Sequence, residues 1–124
     1  MMKQALLVFL GGGLGSVARY VLSLKFNNFE NAMPYGTMIA NVLGSLIIGL
    51  IFGLASKYGS LTENHSLFLA TGFCGGFTTF STFAYENHLY IKSGDYFGML
   101  PYLIVTFVLG ISAVFLGMYL VKYF

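Results

Sequence analysis

Between positions 78 and 83 the chain reads Thr78-Thr79-Phe80-Ser81-Thr82-Phe83, hydroxyls alternating with phenylalanines and no charge among them. Each hydroxyl can donate a hydrogen bond without carrying a full charge, and Asn41, far upstream, adds an amide donor. Phe80 and Phe83 are three residues apart, so on a helix they share a face. Aromatic rings have an electropositive edge, and two rings turned edge-on can contact an anion while excluding water. Phe73 and Phe77, outside the hydroxyl run, read as ordinary packing against lipid or another helix.

Immediately upstream lies Gly75-Gly76, inside an otherwise apolar stretch. Each glycine weakens a helix by about 1 kcal/mol relative to alanine. A helix that breaks there frees backbone groups which the membrane interior cannot satisfy, so such breaks occur only inside protein or beside a water-filled path. Helix ends and freed carbonyls at membrane depth are also a recurrent means of binding ions. The pair therefore points to an ion site, a simple kink being the alternative.

The elements that must position these groups follow from composition. Of the 124 residues, 57% are hydrophobic and 8% charged, against roughly 25% charged in an ordinary soluble domain. Four apolar runs, 4–24, 36–56, 67–91 and 99–121, each approach the ~20 residues needed to cross the hydrocarbon layer. The sequence thus predicts an all-α membrane protein with four transmembrane helices in a single unit over 1–124, the third helix broken in mid-membrane. Short connections collect Lys25, Glu30, Pro34, Lys57, Glu63, Lys92 and Asp95. They leave no room for a soluble catalytic domain or a nucleic-acid surface, and the net charge of +2 is small. Cys74 stands alone, so it forms no disulfide within the chain. Positions 13–18 formally match a dinucleotide fingerprint, but another membrane span follows where a strand and distant acid belong. A signal-peptide reading of the first run fails because the apolar pattern resumes at Tyr20-Val21-Leu22.

Charge placement bears on assembly. Lys3, Lys57 and Lys122 share one side of a four-span topology, while Lys25, Lys92 and Arg19, if it snorkels outward, share the other. The balance gives no preferred orientation and suggests a chain that inserts both ways and pairs as an antiparallel dimer, the alternative being that so few charges make the count noisy. Four helices alone also make too small a bundle to surround a hydrophilic path, whereas a two-fold dimer can hold one between subunits. On the second span Thr37, Asn41, Ser45, Gly49 and Gly53 recur every fourth residue, forming one slowly drifting stripe. Gly11 and Gly15 on the first span, and Thr106, Gly110, Ala113 and Gly117 on the fourth, are similarly small and read mostly as helix packing.

Taken together, GFCGGFTTFSTF at 72–83, Asn41, and GGGLGSVARY at 11–20 resemble the Fluc (CrcB-type) fluoride channels. The resemblance covers the whole chain and its most specific part is the third-span motif. It implies a fluoride-selective channel in the form of a dual-topology antiparallel homodimer with two pores, passively exporting fluoride and protecting against its toxicity. Phe80 and Phe83 match the family's aromatic box, with Asn41 donating beside it. Ser81 and Thr82 match hydroxyls along the route, Tyr102 the fourth-span tyrosine, and Arg19 the vestibule arginine. Gly75 and Thr78 match the backbone carbonyls that hold a structural sodium ion between the subunits; no organic cofactor is implied. Thr79, Thr106, Ser112 and Glu86 are weaker pathway candidates, Thr106 and Ser112 as extensions of a polar track. The expected setting is multi-pass in a bacterial inner membrane, in contact with lipid, with no nucleic-acid partner.

Two rival readings come from other classes. A proton-coupled exporter of organic cations needs an intramembrane carboxylate, and Glu86 is the one candidate, although its position near His88 and Lys92 reads as interfacial. A non-transporting scaffold explains the small-residue stripes but leaves the pattern from Thr78 to Phe83 without a reason. An enzyme is least compatible: there are no paired carboxylates in reach, and His65 and His88 sit apart near span ends.

Overall fold

The computed structural model describes residues 1–27, 33–59 and 61–124. Glu30, placed in the first connection on sequence grounds, lies outside them. Among the described residues the chain is helical, with one isolated bridge between Asn27 and Pro34. Four helices are long and apolar enough to cross a membrane: Met2–Phe26, Tyr35–Tyr58, Glu63–Ser93 and Tyr96–Tyr123. They are α1 (Met2–Phe26), α2 (Tyr35–Tyr58), a composite third span, and α6 (Tyr96–Leu120), which closes in a short 3-10 turn at Val121–Tyr123.

The third span is assembled from four pieces. A first turn, α3 (Glu63–Ser66), is capped by Thr62, whose hydroxyl accepts from the His65 amide. It runs into π-helical turns at Leu67–Cys74, then α4 (Gly75–Phe77). Thr78 and Thr79 leave helical geometry, with φ, ψ of −83°, 154° and −151°, 119°. α5 (Phe80–Ser93) then restarts, capped by the Thr79 hydroxyl, which accepts from Thr82 N at 3.2 Å. Gly75 and Gly76 themselves remain helical. The interruption therefore falls at Thr78-Thr79 and not at the glycine pair.

Gly76 serves contact instead, as do glycines of the first span. A Cβ on Gly76 would collide with the Gly12 carbonyl oxygen, one on Gly11 with that of Phe68, and one on Gly15 with that of Phe73. Gly11 and Gly15 are four residues apart, whereas Phe68 and Phe73 are five. The π-helical stretch, with its wider i to i+5 turn, brings the two spacings into register. A similar crossing joins α2 to α6, where Gly49 meets the Val114 carbonyl and Gly117 the Leu46 carbonyl. The stripe on the second span is thus divided: Gly49 and Gly53 pack within the chain against the fourth span, Thr37 and Asn41 bond to polar groups of the third span, and the Ser45 hydroxyl returns to its own helix at Asn41 O.

Two apolar clusters lie along the bundle. One gathers Ile51, Ala70 and Cys74, and the other Phe83, Tyr90 and Tyr102. Burial of each span's most apolar window within the chain reaches only 11 to 28%, which leaves broad apolar faces for lipid or another subunit. The termini of the spans are conventional: Gly59 and Gly94 take left-handed φ of 59° and 74° to end α2 and α5.

Candidate functional site

The interruption at Thr78-Thr79 removes backbone amides from the carbonyls that would normally accept them. Asn41 of α2 repairs part of the damage: its Oδ1 accepts from Thr79 N at 2.7 Å and its Nδ2 donates to Thr79 O at 3.2 Å. One side chain thereby satisfies both backbone groups of the extended residue. Arg19 donates through Nε to Gly76 O at 3.1 Å. It therefore turns inward onto the third span and does not snorkel from the end of the first.

These repairs leave specific carbonyls over. In a continuous helix Thr79 N would donate to Gly75 O and Thr82 N to Thr78 O. Here Thr79 N goes to Asn41 and Thr82 N to the Thr79 hydroxyl. Gly75 is also exposed, and a Cβ there would meet nothing closer than Ala70 O at 4.0 Å. The Gly75 and Thr78 carbonyls, the two expected to hold sodium, are thus among the four that lose their helical donors at the interruption, Gly76 O being taken by Arg19, and oxygen donors suit a hard cation.

Beside the interruption opens a groove of about 440 Å³, bounded by the second, third and fourth spans. Asn41, Thr78, Thr79, Phe80, Phe83 and Thr106 converge on it, and none of its lining residues is charged. The phenylalanines contribute unequally. Phe83 is buried, edge-on to Phe107 at 5.7 Å and 86°, whereas Phe80 is 75% exposed with its ring centroid 6.3 Å from that of Phe83. Thr106 is buried, and its hydroxyl oxygen has no protein partner. Phe73 and Phe77 stack on each other at 5.4 Å away from the groove, as packing residues do.

The other sequence-nominated residues lie elsewhere. Ser81 is exposed, its hydroxyl 3.4 Å from that of Thr79, and Thr82 contributes the capped amide. Ser112 falls in a separate groove of about 390 Å³ among Met38, Val42 and Leu109, so it does not extend a track from Thr106. Six residues on a helix rotate it well off that face. Glu86 is not an interfacial partner of His88 and Lys92. Its Oε2 accepts from the Thr37 hydroxyl at 3.1 Å and its Oε1 from the Tyr102 hydroxyl at 3.3 Å. The reason is angular: residues two apart on a helix point to different sides, and His88 is exposed against Tyr85. Tyr102 is fully buried, packed on Phe83 at 5.1 Å.

Sequence reading did not select Thr37 or Asn27 as site residues. Thr37 was visible as the first member of the stripe that recurs every fourth residue, but Asn27 carries no periodic signal.

Fold and site together define a multi-pass helical membrane protein whose third span leaves helical geometry beside an uncharged, donor-bearing groove. Comparison with known proteins is consistent with that class. Residues 6–118 match the family described as CrcB-like protein, Camphor Resistance (CrcB), and the chain belongs to that family. It is 51% identical to the Fluoride-specific ion channel FluC of Gloeothece citriformis, over 98% of each chain. Identity to the protein of the same name in Leptospira interrogans is 42%, over 98% of this chain and 97% of the relative. For that of Azobacteroides pseudotrichonymphae it is 41%, over the full length of both. The family is one of ion channels and not of enzymes.

Proposed function

We propose that the chain is a fluoride-selective channel subunit and that two copies, related by an antiparallel two-fold axis, complete two pores in a bacterial inner membrane. The observation that carries this reading is the groove in which Asn41, the Thr79 and Thr106 hydroxyls and the Phe80 and Phe83 rings converge without a charged residue. Fluoride is small, strongly hydrated and a potent hydrogen-bond acceptor, so a pore must replace its water shell with sites weak enough to release it. Hydroxyls, an amide and ring edges do this, and Thr106 offers a buried hydroxyl not yet engaged. Asn41 has spent one amide proton on Thr79 and keeps the other.

A single chain leaves the site open. Phe80 at 75% exposure and the exposed Gly75 call for a facing surface, which a second copy supplies. The Gly75 and Thr78 carbonyls of each copy would hold the structural sodium ion, whose positive charge satisfies oxygens otherwise unpaired at membrane depth. Arg19 fixes the carbonyl side of the interruption, while Ser81, Thr82 and Tyr102, which the family resemblance also nominates, do not line the groove.

Export follows from the membrane potential. Hydrogen fluoride enters uncharged and dissociates in a near-neutral cytoplasm, and a negative interior drives the anion outward at about 2.3 kcal/mol per charge per 100 mV. Coupled export through Glu86 is less compatible with the structure, because both carboxylate oxygens are held by hydroxyls and Glu86 does not line the groove. Purified protein in liposomes is expected to release fluoride under a potential alone. A strict requirement for a second ion gradient would overturn the channel reading.

A further inference from the structure

At one end of the bundle α2 and the fourth span finish together, and the packing there leaves a cation facing outward. Gly53 makes room for Val121, which is buried against it and holds the closing turn at Val121–Tyr123 on α2. Lys57 donates from Nζ to the backbone oxygens of Val121, Lys122 and Phe124 at 3.0, 3.3 and 3.2 Å. The second lysine is placed differently. Lys122 Nζ sits over the Tyr119 ring, 4.9 Å from its centroid, and the Tyr119 hydroxyl lies 3.0 Å from that of Tyr123. We propose that Lys122, Tyr119 and Tyr123 form a docking site for the headgroup of an anionic phospholipid at the end of the fourth span.

The donor inventory separates the two lysines. The Lys57 ammonium has three protons and three acceptors, so it keeps no donor for a ligand. It answers the unpaired oxygens at the negative end of the helix dipole, which would otherwise repel an anion. Phe124 O also accepts from the Tyr58 hydroxyl. The charge of Lys122 is left over: no carboxylate side chain among the described residues pairs with it, and its three N–H donors have no acceptor among them. Of the two tyrosine hydroxyls one donates to the other, which leaves one phenolic proton for an outside acceptor. Lys122 is exposed, and Tyr119 and Tyr123 are 49% and 72% exposed. A phosphodiester, with one negative charge and several acceptor oxygens, complements this set.

Position selects a lipid over a soluble phosphate. Tyrosines and lysines at the ends of membrane spans lie at headgroup depth. Val108 and Phe115, fourteen and seven residues before Lys122, are apolar and 55% and 69% exposed. Residues seven apart on a helix share a face, so one exposed stripe runs from acyl-chain depth to the ammonium, the order in which a phospholipid presents its own parts. The charge is also one-sided. At the opposite end Lys92 has Asp95 three residues away, the residue that caps the fourth span at Gly98 N, whereas neither 119–124 nor the last turn of α2 contains an acidic residue. Such a site requires only the four membrane spans, whatever ion the chain conducts.

The test is native mass spectrometry of the full-length protein released from detergent, titrated with phosphatidylglycerol and phosphatidylcholine of the same acyl chains. The wild type is expected to bind phosphatidylglycerol about fivefold more tightly, the factor that one lysine near a charged bilayer surface contributes, and Lys122→Gln should lose that preference. Lys92→Gln removes an equal charge at the other end and should leave it unchanged. No preference in the wild type, a preference retained in Lys122→Gln, or an equal loss in Lys92→Gln would overturn the site. Excess inorganic phosphate is expected not to displace the lipid, and displacement would refute a lipid as the occupant. Should Lys122→Gln not fold, the double variant Tyr119→Phe with Tyr123→Phe decides the question. It is expected to weaken binding of phosphatidylglycerol while leaving that of phosphatidylcholine unchanged, and unaltered phosphatidylglycerol binding refutes the site.

Discussion

Replacing Asn41 by leucine removes both hydrogen bonds that hold Thr79 at the interruption, at 2.7 and 3.2 Å. Polar contacts measured inside membranes average about 0.6 kcal/mol and reach about 1.7 kcal/mol, so two of them bracket a loss of about 1.2 to 3.4 kcal/mol. A backbone group left wholly unsatisfied and buried costs about 1 to 3 kcal/mol. Thr79 is only half-buried and faces an open groove, which lets water recover part of that. We therefore expect a destabilisation of about 1 to 3 kcal/mol, toward the middle of the bracket. The assay is reversible unfolding in mixed micelles titrated with dodecyl sulfate, followed by helical circular dichroism. Ser45→Ala serves as a control, because the Ser45 hydroxyl returns to its own helix at Asn41 O, and its loss should fall below about 0.5 kcal/mol. Equal stability of Asn41→Leu and wild type would refute the idea that this amide repairs the third span.

Four further outcomes are expected. Thr106→Val removes a buried hydroxyl without a protein partner, so unfolding should show stability unchanged or raised by about 1 kcal/mol, while anion efflux falls; a destabilised variant contradicts the assignment. Gly49→Val drives a side chain into the Val114 carbonyl and should lose about 1 to 3 kcal/mol by overpacking. Gly13→Ala, with nothing within 4 Å, should gain up to about 1 kcal/mol from helix propensity, and the two are compared in one unfolding series. Lys57→Met removes donations from Nζ to the carbonyls of Val121, Lys122 and Phe124. Amide exchange should accelerate in the last turn of the fourth span, with a stability change under about 1 kcal/mol.

The four membrane-capable helices were legible in hydropathy because the bilayer requires long apolar runs with internally paired backbones. The exact site of the interruption was not. Glycine weakens a helix, but a membrane offers its backbone no competing partner, so Gly75 and Gly76 stay helical and Gly76 is used to approach Gly12. Thr78 and Thr79 leave the helix where Asn41, 38 residues away, supplies alternative partners; that is tertiary information with no local signature. The same limit explains Arg19, whose inward bond to Gly76 O depends on helix crossing, and Glu86, whose partners come from two other spans. Phe80 and Phe83 could be paired in advance because a three-residue spacing puts them on one helix face, and Asn41 stood out as an amide donor in an apolar span, whereas Thr106 was nominated only through the family resemblance. Asn27 was missed because a single asparagine at a span end looks like any polar boundary residue.

The central claim, that the groove at the third span conducts fluoride, is tested most directly by anion efflux from liposomes under a potassium diffusion potential, comparing wild type with Phe80→Ile. The account predicts rapid fluoride release with chloride retained in the wild type, and loss of fluoride release in the variant despite intact folding. Fluoride efflux that is unchanged by Phe80→Ile, or absent from well-folded wild type, would contradict it.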